Sequence, residues 1–154
     1  SDVVFLLLLP FLLKRLGVKG ILILGMVAWT VRFGLLTKFP QAADGAWMLF
    51  VAIAVHGLCY DYIFVMGRMY VDQRATESIR AATQGFHAFV TLGAGMFVGS
   101  WLSGVVGQHY TNATTATHDW SGIWLVPAAM SAVLIVVFAV LFKDSPPPVS
   151  EPAK

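Results

Sequence analysis

Four long apolar runs leave this chain few ways to fold. They cover about Ile21–Leu36, Trp47–Met66, Ala82–Val106 and Ile123–Phe142. Roughly 20 helical residues cross a bilayer, so the last three are long enough outright, and the first is if its flanks are included. A shorter run, Val3–Leu13, has the same texture and is read as part of a truncated helix. Strands of a membrane barrel would alternate apolar and polar residues. Stretches such as "ILILGMVAW" and "AVLIVVFAVLF" are apolar in both parities instead. In lipid, such runs satisfy their backbone amides only as helices.

Composition agrees. The 154 residues are 58% hydrophobic and 12% charged, whereas a soluble domain carries about a quarter charged residues. The net charge of +2 and the lack of a basic run give nucleic acid nothing to bind. The single cysteine, Cys59, excludes an internal disulfide and a multi-cysteine metal site. No metal and no cofactor are expected. Metalloprotease, nucleophile-elbow and phosphate-loop motifs are missing, so no catalytic residue is assigned and the chain is not read as an enzyme.

Basic residues set a topology. Lys14, Arg15 and Lys19 precede the first full span, Arg68, Arg74 and Arg80 lie between the second and third, and Lys143 follows the last. The alternate connections hold only Lys38. The excess marks the cytoplasmic side, placing the C-terminus there. Residues 1–143 are read as one transmembrane bundle, and the Pro-rich 144–154 as a disordered cytoplasmic tail.

Polar groups inside the second span are the candidates for chemistry. His56, Tyr60 and Phe64 follow at i, i+4 and i+8, and Asp61 lies one step round from Tyr60. An ionised Asp at mid-depth costs about 2.5–3.5 kcal/mol on insertion scales. It must face a cavity, find a partner or be protonated. Water-poor surroundings disfavour the charged carboxyl, which suits a group that takes and gives a proton. The structural alternative is an ion pair with Arg32, but counting helical rise sets the two roughly 10 Å apart in depth. In the third span Thr83, His87 and Thr91 repeat at i, i+4 and i+8 with Gln84 beside them. Gln84 and His87 are candidates for an inner vestibule, Arg32 for a partner or a headgroup contact.

These residues carry a resemblance. "HGLCYDYIFVMGRMYVDQRA", "IRAATQGF" and "GAGMFVGSWLSG" look like the nucleoside:proton symporter family of the major facilitator superfamily. The turn "KRLGVKG" resembles the superfamily's loop between helices 8 and 9. The resemblance implies an all-α membrane protein: the C-terminal fragment of a twelve-helix transporter, with four full transmembrane helices and a truncated first one, helices 8 to 12. It implies His56 and Tyr60 as substrate contacts, with Phe64 continuing their face, and Asp61 as the proton-coupling carboxylate. The implied partners are a nucleoside, the inner-membrane bilayer and the missing N-terminal half, with protons as coupling ion. A carrier of the same fold for another polar solute, such as a sugar, remains open, as does a non-transporting assembly or receptor subunit.

Overall fold

The computed structural model describes residues 2–39, 45–112 and 117–143. The tail expected over 144–154 lies outside them. Helix α1 runs Asp2–Lys38 and is broken at Gly17, whose φ of 65° and ψ of 178° are open to glycine and strained for other residues. The break lies inside "KRLGVKG", where the sequence reading places a connection between two helices. It folds the chain back. Phe5 meets the Tyr62 ring at 6.4 Å, and Gly25 also abuts Tyr62. A straight helix would set Phe5 and Gly25 about 30 Å apart.

Helix α2 spans Ala46–Arg74, α3 Arg80–His109, and α4 Trp120–Leu141. Each is long and apolar enough to cross a membrane. The expected span at 21–36 is the second arm of α1, residues 18–38, which at 1.5 Å per residue measures about 30 Å, the depth of a hydrocarbon core. Between α3 and α4, Thr111–Asn112 and Thr117–His118 form a short antiparallel ribbon, β1 and β2, with Thr111 opposite His118. This ribbon is an addition to the all-α expectation. Asp119 caps α4 by accepting from the Ser121 and Gly122 amides at 3.1 and 3.2 Å.

The core is small and lies where both arms of α1 meet α2. Leu9, Ile21, Leu22, Tyr62 and Met66 are buried there, with Leu13, Val18 and Phe138 packed around them. Gly25 permits the closest approach: a Cβ on it would stand 2.9 Å from Ile63 Cγ1 and 3.1 Å from Tyr62 Cβ. Helix α4 lies along α1, tied by a Thr30–Ser131 hydroxyl hydrogen bond of 2.6 Å. Lys19 Nζ donates to the Ala139 carbonyl at 2.7 Å, occupying one of the carbonyls that the last turn of α4 leaves open. Large apolar side chains elsewhere, such as Phe86, Phe97 and Trp101 on α3, are exposed. An aqueous surface rarely carries so much; hydrocarbon or neighbouring helices accept it.

Three of the basic residues used for topology, Lys19, Arg74 and Arg80, collect at one end of this bundle. Lys19 meets the end of α4, Tyr70 meets Phe142 at 5.6 Å, Arg74 lies 4.4 Å over the Tyr70 ring, and Arg80 pairs with Asp72 at 3.5 Å.

Candidate functional site

Helix α2 is not a regular α-helix where its polar residues lie. Residues Asp61–Val65 form a π-helical turn, in which the Met66 amide reaches the Asp61 carbonyl five residues back. Such a turn inserts extra residues into the helical period and redirects the side chains around it. Tyr60 is 46% exposed, while Asp61, its neighbour in sequence, is 5% exposed. Asp61 is turned into the protein, on a segment packed against α1 and flanked by the fully buried Tyr62 and Met66. The sequence reading places Asp61, Tyr60 and His56 on a common face; the structure keeps His56 and Tyr60 together on the exposed side and puts Asp61, with Gly57 one turn before it, on the buried side, as one step round a regular helix allows.

Carboxylate burial in such a place is costly unless the surroundings compensate it. Among the described residues Asp61 is the buried charged side chain.

Tyr60 and Phe64 keep the expected i, i+4 contact, their rings 5.0 Å apart. They line a cavity of about 160 Å³ whose opposite wall is α3, with His87, Ala88, Thr91 and Leu92, and whose floor reaches Arg68. His87 therefore comes together with two residues assigned to α2. It packs beside Gly67, where a Cβ would stand 3.4 Å from His87 Nε2. Thr91 donates back to the His87 carbonyl at 2.7 Å, so its hydroxyl is engaged within its own helix. A second π-helical turn, Phe89–Gly95, starts one residue past Ala88 in the same wall.

The other candidates sit elsewhere. Gln84 donates to the Arg68 carbonyl at 3.3 Å and to Asp72 Oδ1 at 3.2 Å, at the basic end of the bundle and not beside Tyr60. His56 is exposed and meets Trp29 edge-on at 6.4 Å. Arg32 lies 5.6 Å from the same indole, with its guanidinium over the ring.

Trp29 is the residue that sequence reasoning missed. Its indole donates to the Cys59 carbonyl at 3.3 Å, just ahead of the π turn, and its ring contacts Phe33, His56 and Arg32. The available signal was chemical: an indole N–H in an apolar span needs an acceptor, and displaced helical carbonyls supply one.

A family model described as "Nucleoside H+ symporter" matches residues 1–146. The chain belongs to the nucleoside H+ symporter family. It is 36% identical over 143 residues to the xanthosine permease of Escherichia coli K12, a match covering 93% of this chain and 34% of that protein. It is 34% identical over 144 residues to the nucleoside permease NupG of the same organism, again covering 93% and 34%. The crystal structure of the nucleoside transporter NupG superposes with a TM-score of 0.82 at 32% identity, covering 94% of this chain and 35% of that one. An Asp-to-Ala mutant of NupG gives 0.83 over 92% and 35%. The chain spans about a third of the length of the curated relatives it matches. These likenesses agree with the family and the helical transporter fold that the motifs suggested, and the named relatives are permeases rather than enzymes.

Proposed function

We propose that the full-length protein takes up nucleosides across the inner membrane together with protons. This chain would supply part of the substrate site and the proton-carrying group. Tyr60 and Phe64, with His56, contact the nucleoside near mid-depth; aromatic faces suit stacking on a base or ribose. Asp61 carries the proton. When charged it disfavours closure of the hydrocarbon-depth interior around it, and protonation removes that penalty and permits the rocking between inward- and outward-open states. The potential contributes about 2.3 kcal/mol per charge per 100 mV, which favours accumulation inside. No cofactor enters; the proton is the coupling ion. The basic end of the bundle faces the cytoplasm, and so does the C-terminus.

The observation that carries this reading is a carboxylate 5% exposed, on a π-helical turn in the middle of a membrane-length helix, beside an exposed tyrosine. The printed names of the relatives, nucleoside permease and xanthosine permease, support the substrate class. The cavity beside Tyr60 measures about 160 Å³, below the roughly 300 Å³ at which ligand pockets usually begin. The remaining walls would come from the rest of a protein of the relatives' length, about two thirds of which this chain does not cover.

Uptake of labelled uridine by cells or proteoliposomes, with and without an uncoupler, tests the proposal. Accumulation should fall to equilibration when the proton gradient collapses. Asp61→Asn should abolish accumulation while leaving exchange of internal for external nucleoside. Full accumulation by that variant would remove the proton role. Competition by sugars but not nucleosides would move the substrate class, and a lack of any uptake would favour a non-transporting assembly.

A further inference from the structure

Trp29 is not an interface tryptophan. Counted from residue 18, it lies about 17 Å into the second arm of α1, near the middle of the hydrocarbon. An indole at that depth brings an N–H that needs an acceptor, whereas an aliphatic side chain would fill the same space without one. The acceptor is on α2: Nε1 donates to the Cys59 carbonyl at 3.3 Å. One helical turn earlier, Gly25 lets α1 close on Tyr62 and Ile63. Trp29 shares that face of α1 and reaches the preceding turn of α2.

The ring is braced on its other sides. Phe33 leans on it at 5.1 Å and is itself stacked on Trp124 of α4 at 6.0 Å. The Arg32 guanidinium lies over it at 5.6 Å. Against this held indole His56 sets its imidazole nearly perpendicular, with centroids 6.4 Å apart and planes at 81°. His56 is exposed, and among the described residues its ring has no hydrogen bond and no other ring contact. Without the indole that imidazole would be free to turn.

We propose that Trp29 is a positioning residue for the nucleoside: it holds the His56 imidazole in the orientation in which it meets the substrate. The Cys59 hydrogen bond anchors the indole, Phe33 and Arg32 brace it, and the imidazole takes its direction from it. The anchoring carbonyl belongs to the peptide that joins Cys59 to Tyr60, so the same side chain ties His56 to the backbone that carries the second substrate contact. A contact group ordered beforehand need not be ordered when substrate binds, which strengthens binding. This inference rests on the reading of His56 as a nucleoside contact and deepens it.

The test is a double-mutant cycle on the full-length protein in mild detergent, reading the equilibrium binding of labelled uridine. His56→Ala should weaken binding by up to roughly tenfold. Trp29→Leu leaves His56 present but unheld, and ordering it on binding should weaken uridine roughly two- to tenfold. In the His56→Ala background Trp29→Leu should cost less than about twofold more, because no imidazole remains to be positioned. Trp29→Phe keeps a ring without the anchor and should fall between wild type and Trp29→Leu. It replaces Trp29→Leu in the cycle if that variant does not fold. A side chain that merely filled space would give losses that multiply in the double variant. That result, or unchanged affinity in both Trp29 variants, overturns the proposal while His56 keeps its role. If His56→Ala binds uridine as tightly as wild type, the assignment of His56 as a nucleoside contact fails and takes this inference with it.

Discussion

Gly25→Ala isolates the contact that holds the π turn in place. Gly25 is buried on α1 and faces Tyr62 and Ile63. An alanine Cβ there would stand 2.9 Å from Ile63 Cγ1, 3.1 Å from Tyr62 Cβ and 3.4 Å from the Tyr62 carbonyl carbon. Ile63 Cγ1 is not the free end of a flexible chain, and the Tyr62 atoms belong to the backbone or its first branch, so α1 and α2 must separate by some tenths of an ångström. Overpacking of this kind costs about 1–3 kcal/mol. Exchange of glycine for alanine within a helix returns about 1 kcal/mol. The net loss is then about 0–2 kcal/mol. Gly34 lies on the same helix with nothing within 4 Å of its Cβ position, and Gly34→Ala carries only the favourable part. The two variants should differ by about 1–3 kcal/mol, with Gly25→Ala the less stable. Unfolding of the full-length protein in mixed micelles with dodecyl sulfate, followed by tryptophan fluorescence, measures the difference. Adding Ile63→Ala should remove part of the Gly25→Ala penalty, a coupling that a double-mutant cycle reads directly. Because the displaced segment carries Asp61, uptake should fall in Gly25→Ala and persist in Gly34→Ala. Equal stabilities for the two variants, with no coupling to Ile63, would refute the claim that Gly25 sets the approach of α1 to the π turn.

Three further outcomes follow from single contacts. Trp29→Phe keeps the ring contacts with Phe33 and His56 and deletes the hydrogen bond to the Cys59 carbonyl, so it should cost about 0.5–1.5 kcal/mol in the same unfolding assay. Asp119→Ala removes the cap of α4 and should cost about 0.5–2 kcal/mol, with Asp119→Ser retaining most of it. Asp72 and Arg80 are about half exposed, so Arg80→Gln should change stability by less than about 1 kcal/mol, an effect that shrinks further in high salt.

The amino-acid sequence alone determined the solvent and the secondary structure. Runs apolar in both parities admit only helices in lipid, and the structure has them where the runs lie. Three residues of the basic asymmetry, Lys19, Arg74 and Arg80, lie at one end of the bundle. The turn at "KRLGVKG" was legible too, since its glycine is where the chain reverses. Asp61 stood out because charge in an apolar run demands a reason. What the sequence left open was direction. A helix that is apolar nearly all round has no stripe to say which side meets which neighbour, so nothing in it announced that Phe5 and Gly25 would both press on Tyr62. Periodicity assumes one constant rotation per residue. The π turn at Asp61–Val65 breaks that assumption for the residues that follow it. Tertiary packing also decided which distant side chains share a space: His87 with Tyr60 and Phe64, Trp29 with the Cys59 carbonyl, Lys19 with the end of α4. The reason is physical. Backbone hydrogen bonds fix a helix from local sequence, but its rotation about its own axis is fixed only by the small contacts, glycine faces and displaced carbonyls through which it touches another helix.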